Sequence, residues 1–325
     1  MRKHRPPQGH WLDNLLVWLG QQLNSEPAFC LPPPLSPQGF WSFLVGEGKA
    51  VSITCQQKER LTSYQRISFT YPSRIIREEP ALNLVKGVFY ESLKNPQAAT
   101  ILLIHGNGMP NHLWEERYAS YLIPLGYQVA YLDLPYHMSR RPPKGKRKSL
   151  SANLEMTCLN LGQGIVDSVH LLSWLKEKKQ IKKTGILGTS LGGLLSLLLA
   201  TQISLDFVIA LTPLVDLSYL LWEGIPLGGI REKIKKGGIS SRQELASYLL
   251  PFSPNSYRPL IPPEKIFLVK GEEDEIVGSQ NVEKLIRDWQ LPNVLRLPQG
   301  HLSTSLSFFL FGFPKELKKF LLANS

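Results

Sequence analysis

Cysteine is scarce in this chain: 325 residues contain three, Cys30, Cys55 and Cys158, with no CxxC pair and no Cys/His group at zinc-ligand spacing. Neither a disulfide framework nor a metal site is expected. There is also no apolar run long enough to cross a bilayer, which takes about 20 residues. The most apolar stretch, Leu191 to Ala200, covers half of that and reads as a buried helix. A secretory leader is poorly supported, because Asp13, Asn14 and Gln21 interrupt the apolar stretch Trp11 to Leu23 that follows Arg2, Lys3 and Arg5. The expected location is therefore cytoplasmic, with membrane association as an alternative. No internal repeat is visible.

Positive charge, in contrast, is in excess. The formal net charge is +11, with basic groupings at Arg140 to Lys148, Lys176 to Lys183 and Arg231 to Lys236. Aromatic residues do not interleave with these runs as they do on a stacking platform, so nucleic acid is not an expected partner. Solubility accounts for such a surface, and an anionic membrane surface is the sharper reading. With 43% hydrophobic and 19% charged residues, a packed globular fold is expected over most of the chain.

Residues 1–60 read as an N-terminal extension. Trp11, Leu12, Leu15, Leu16, Leu19 and Leu23 recur at helical spacing and form one apolar face, and a proline-rich link, LPPPLSP, spans Leu31 to Pro37. That face either packs on the body of the protein or docks to a lipid surface.

Residues 61–325 read as one α/β domain. Strands are predicted over Arg66 to Tyr71, Val85 to Glu91, Ala99 to His105, Tyr127 to Leu132, Thr184 to Gly188, Phe207 to Leu211, Lys265 to Lys270 and Val294 to Leu297. Helices are predicted over His112 to Leu122, Glu155 to Lys178 and Leu191 to Gln202. Such alternation implies parallel strands joined by crossover helices, hence a three-layer sandwich. Residues 217–263 are too long for a simple connection and are expected to form a cap insertion.

Gly188-Thr189-Ser190-Leu191-Gly192 has the G-x-S-x-G form between an apolar strand and an apolar helix. A serine on so sharp a turn exposes its hydroxyl, and the residues two before and two after it must be nearly free of side chain. Serine needs a base to become a nucleophile. Only one of the seven histidines, His301, lies C-terminal to Ser190, as the chain order Ser, acid, His requires. An acid just past a strand would fix the tautomer of that histidine. Asp274 is favoured, and Asp216 competes. The expected oxyanion donors are the backbone N–H groups of Leu191 and of Asn107, in the His105-Gly106-Asn107-Gly108 turn.

In this order, the strand followed by HGNG, then GTSLGG, GEEDEIV and QGHLS, resembles the α/β-hydrolase superfamily from about Tyr64 to the C-terminus. The resemblance implies an eight-stranded, mostly parallel sheet, an acyl-enzyme mechanism and no cofactor. LDLPYHMSRRP resembles a turn of dienelactone-hydrolase-like and abhydrolase-domain branches, so His137 and Arg140 either line the site or organise the loop by hydrogen bonds. Trp222, in the insertion, is a further candidate for the lining of an apolar pocket.

The leading functional expectation is a serine hydrolase of a small-molecule carboxylic ester. The alternatives are a thioesterase, acyltransferase or lyase on the same scaffold, or a binding protein that no longer turns over.

Overall fold

Strands that lie inside a three-layer protein must be apolar on both faces, because each face meets a layer of helices. The sequence runs TILLI, QVAYL and FVIAL satisfy this, and every residue in the three is buried. In the computed structural model, residues 30–31, 52–142, 149–224 and 227–325 are described. The predicted amphipathic segment, almost all of the proline-rich link and residues 143–148 of the basic run lie outside the described residues.

The strands are β1 (Thr54–Arg60), β2 (Tyr64–Pro72), β3 (Leu84–Ser92), β4 (Thr100–Ile104), β5 (Gln128–Leu132), β6 (Thr184–Thr189), β7 (Phe207–Leu211), β8 (Ile266–Gly271) and β9 (Asn293–Leu297). They form one sheet in the order β1-β2-β3-β5-β4-β6-β7-β8-β9. Pairing is antiparallel from β1 to β3 and between β3 and β5, and parallel from β5 through β9. The described sheet therefore has nine strands where eight were expected. The additional strand is β1, TCQQKER, an edge strand whose described side chains are all exposed. It carries no apolar alternation for a sequence reading to detect, and the free backbone groups along the edge of β2 are what hold it.

The helices are α1 (Leu113–Leu122), α2 (Leu154–Glu177), α3 (Leu191–Gln202), α4 (Leu217–Trp222), α5 (Gly228–Lys236), α6 (Arg242–Leu249), α7 (Ser279–Trp289), α8 (His301–Phe311) and α9 (Lys315–Leu322). Alternate residues of each strand enter different cores. Leu102 and Ile104 of β4, Ala130 and Leu132 of β5, and Val208 and Ala210 of β7 pack with α2, α3 and α7. Their neighbours Ile101, Leu103, Val129, Tyr131, Phe207, Ile209 and Leu211 pack with α1, α8 and α9 on the other face. In α3, Leu194, Leu195, Leu197, Leu198 and Leu199 are all buried. A helix apolar all round is stable only when enclosed, and each buried leucine contributes roughly 1.5–3 kcal/mol.

The insertion at 217–263 is helical and shares the core of the first face through Ile230, Ile234, Ile239, Leu245, Leu249 and Phe252. Leu220, Leu221, Leu249 and Phe252 are buried in that packing. Tyr219 Oη donates to the Glu275 carbonyl at 3.3 Å, so the insertion touches the loop that follows β8.

Candidate active site

Ser190 sits between β6 and α3 with φ 56° and ψ −112°. A positive φ at a non-glycine residue costs on the order of 1–3 kcal/mol and persists only where its surroundings over-determine it. Here the Ser190 N–H donates to the Leu211 carbonyl at 2.9 Å, and the Ser190 carbonyl accepts from Leu194 and Leu214, both at 3.1 Å. The flanking glycines allow the turn to close. A Cβ on Gly192 would stand 1.9 Å from the Ile104 carbonyl oxygen, and one on Gly188 would stand 2.1 Å from the Gly192 carbonyl oxygen. Strand and helix approach so closely that only glycine fits at either position.

His301 is the first residue of α8, and its ring is buried. Nε2 lies 2.9 Å from Ser190 Oγ, and Nδ1 lies 2.7 Å from Asp274 Oδ2. Asp274 follows β8. Its other oxygen, Oδ1, accepts from the Ile276 and Val277 N–H groups, each at 3.1 Å. With both backbone donors on Oδ1, Oδ2 is held on the imidazole, which places the ring proton on Nδ1 and leaves Nε2 to accept from the serine hydroxyl.

The loops that carry the acid and the histidine meet at Gly271. A Cβ there would lie 2.6 Å from the Gln299 carbonyl oxygen and 3.2 Å from that of Gly300. Gly271 is the glycine turn between strand and acid that opens GEEDEIV in the sequence.

Asp216, the competing acid, has other partners. Its Oδ1 caps α4, accepting from Tyr219 N–H at 2.9 Å and Ser218 Oγ at 2.6 Å, while Oδ2 pairs with Arg242 at 2.6 Å.

Leu191 opens α3, so its N–H is among the first-turn donors that have no partner within the helix. Asn107 is exposed in the loop after β4. That loop lies against the serine turn, since a Cβ on Gly106 would be 3.6 Å from Ser190 Cβ and 3.4 Å from the Thr189 carbonyl oxygen.

Arg140 does not line an opening. It is fully buried, pairs with Asp167 at 2.7 Å, and donates to the carbonyls of Asp133 and Leu82. His137 is buried as well and bonds to backbone groups of its own loop and of the loop after β4. Trp222 is half-buried at the end of α4, with Lys235 Nζ 5.5 Å from its ring centroid.

Two residues that the sequence reading passed over, His112 and Asp133, join the same region. His112 Nε2 lies 2.5 Å from Asp133 Oδ1, and Nδ1 lies 3.3 Å from Glu115 Oε2. Burial pushes the His112 imidazole down, but the bonds to Asp133 and Glu115 outweigh it and raise the pKa to about 9. His105 moves the other way: burial, reinforced by His137, lowers it to about 3. Among the described residues, no three His, Cys, Asp or Glu side chains are grouped as metal ligands.

A family model described as "alpha/beta hydrolase fold" matches residues 99–211, and a second, described as "Putative esterase", matches residues 168–287. The first spans β4 through β7, with the serine turn inside it. The two matches support an α/β-hydrolase superfamily member. Among solved structures with this hydrolase fold, acetyl xylan esterase 1 from Thermoanaerobacterium sp. JW/SL YS485 is similar at a TM-score of 0.62. Its identity is 12%, over 90% of this chain and 98% of that one. The acetyl xylan esterase from Paenibacillus sp. R4 is similar at a TM-score of 0.59 and 15% identity, with the same coverage of 90% and 98%. At such identities the likeness is one of fold.

Two curated Mycobacterium tuberculosis proteins are 29% identical to this chain over 190 residues: uncharacterized protein MT2702 of strain CDC 1551 / Oshkosh and uncharacterized protein Rv2627c of strain ATCC 25618 / H37Rv. The match covers 54% of this chain and 42% of each relative, so it spans less than half the length of those proteins. No described helix is long and apolar enough to cross a membrane.

Proposed function

We propose that this chain is a serine hydrolase of carboxylic esters that works through an acyl-enzyme. The observation that carries the reading is the hydrogen-bonded series Ser190 Oγ, His301 Nε2, His301 Nδ1 and Asp274 Oδ2, hung on a strained strand-to-helix turn. The match to an esterase family model over residues 168–287 supports esters as the substrate class.

His301 Nε2 takes the hydroxyl proton as Ser190 Oγ attacks the ester carbonyl. The imidazolium so formed is stabilised by Asp274. The Leu191 N–H and a donor from the 106–108 loop, with Asn107 N–H the candidate, hold the oxyanion of the tetrahedral intermediate. Collapse of that intermediate breaks the bond to the alkoxide, which leaves with the proton from His301. Water, deprotonated by the same imidazole, then attacks the acyl-serine, and collapse of this second intermediate breaks its bond to Ser190 Oγ, which takes the proton back from His301 as the acid is released. Every proton and electron pair is accounted for without a cofactor.

The test combines labelling with turnover. A fluorophosphonate probe is expected to modify the wild type at Ser190, and Ser190→Ala should lose both labelling and hydrolysis of p-nitrophenyl esters while retaining the fold. Labelling that survives Ser190→Ala, or a wild type inert to a full chain-length series of these esters, would overturn the reading.

A further inference from the structure

Two loops leave neighbouring strands: residues 105–112 after β4, which carry the candidate oxyanion donor and lie against Ser190, and residues 133–140 after β5. Each sends a buried histidine into the backbone of the other. His105 Nε2 accepts from the Leu134 N–H at 3.1 Å, and its Nδ1–H donates to the Gly106 carbonyl at 2.8 Å. Reciprocally, His137 Nε2 accepts from the Gly108 N–H at 2.9 Å, and its Nδ1–H donates to the Pro135 carbonyl at 2.9 Å. The rings meet edge to face with centroids 4.6 Å apart. His112 and Asp133 tie the same two loops together farther out.

Backbone strain is concentrated at this clasp. Tyr136 and Met138, the residues on either side of His137, have φ of 63° and 44°, values that non-glycine residues seldom adopt. Such strain survives only where other contacts fix it. At this strained turn the His137 imidazole bridges Pro135 of its own loop and Gly108, one residue beyond Asn107.

We propose that His137 is a positioning residue for the oxyanion loop, with His105 as the reciprocal half of the clasp. The inference rests on the serine-hydrolase reading and assigns a role within it. An oxyanion donor acts only when it lies within about 2.7–3.1 Å of the developing charge, and removing one costs about 10²–10³ in kcat. By accepting from Gly108, the neutral imidazole sets where the 106–108 backbone stands relative to Ser190. A contact needed for the transition state and not for substrate binding lowers kcat and leaves KM in place when lost.

The experiment compares His137→Leu, which removes the acceptor at similar volume, with His137→Gln, which keeps an acceptor oxygen on a side chain of similar reach. Turnover of a short-chain p-nitrophenyl ester is expressed per serine titrated with a fluorophosphonate, so that loss of folded protein does not register as loss of rate. The Leu variant is expected to lose about 10²-fold in kcat with KM within about threefold of wild type. Its affinity for a boronic acid, whose serine adduct mimics the tetrahedral oxyanion, should fall in parallel, and the Gln variant should recover most of both losses. If the Leu variant does not fold, His137→Asn, which falls short of Gly108, is expected to show the same loss confined to kcat. An active wild type whose Leu or Asn variant keeps full kcat per titrated serine overturns the clasp alone, as does a Gln variant no better than Leu. A wild type that hydrolyses no ester overturns the serine-hydrolase reading and this inference with it.

Discussion

Replacing Asp274 by asparagine separates the two acids that follow neighbouring strands. Asp274 Oδ1 accepts from two backbone N–H groups, so the amide oxygen of the replacement must take that place and its NH₂ must face His301 Nδ1. Nδ1 can then only accept. The imidazole is forced into the Nε2–H tautomer, with its proton directed at Ser190 Oγ, where a base is required. The same reversal in serine proteases lowers kcat about 10⁴-fold, equivalent to roughly 5 kcal/mol of transition-state stabilisation at about 1.4 kcal/mol per tenfold.

Asp216→Asn is the control. Asparagine caps a helix about as well as aspartate, so the principal loss is the partly exposed pair with Arg242, worth up to about 1 kcal/mol. Turnover should stay within a few-fold of wild type while the urea midpoint falls slightly. Steady-state hydrolysis of a p-nitrophenyl ester and urea denaturation of both variants make the assay. Equal losses of turnover, or a larger loss for Asp216→Asn, would refute the argument from the Oδ1 bonds and reassign the acid.

His112 gives a pH-dependent signature. Its pKa is raised from about 6.5 unfolded to about 9 folded, so its contribution, at most roughly 3 kcal/mol, is complete below pH 6.5 and is lost as pH rises through 9. The stability difference between wild type and His112→Gln should therefore shrink between pH 7 and pH 10, and a constant difference would contradict the assignment. Gly192→Ala should destabilise the fold by about 3 kcal/mol or more, because the new Cβ meets backbone. Gly229→Ala, at a site with open space, should change stability by less than about 1 kcal/mol, so similar urea midpoints for the two variants would count against the packing argument. We propose an anionic lipid surface as a partner of the basic leader and its amphipathic segment. Full-length chain is then expected to co-sediment with anionic liposomes at low salt and, in part, at high salt, and a variant lacking residues 1–37 should lose the salt-resistant part. No binding at low salt would remove the lipid proposal.

Much of the site was legible because its signals are local. Gly188, Ser190 and Gly192 lie within five residues, and the physical demand on them, a sharp turn between two buried elements, is written in the apolar runs on either side. The strand and helix alternation is legible for the same reason: a strand enclosed on both faces must be a continuous apolar run, as β4, β5 and β7 are. β1 escaped because backbone pairing alone fixes an exposed edge strand, and backbone pairing leaves no mark on side-chain pattern.

The sequence by itself determined the layered fold, the strained serine and, through the scarcity of histidine after residue 190, the identity of the imidazole placed beside it. Tertiary structure alone sets which of Asp274 and Asp216 lies beside His301. Both follow a buried strand, so their local settings are alike. β8 pairs with β9, with Gly271 opposite Leu297, and this brings the Asp274 loop beside the loop that delivers His301, whereas the chain after β7 turns to let Asp216 cap α4. The reciprocal histidines were hidden for the same reason. His105 and Leu134, like Gly108 and His137, are 29 residues apart and meet because β4 and β5 are neighbours in the sheet. Side-chain partners across loops depend on which strands lie side by side, and the order of residues along the chain does not contain that information.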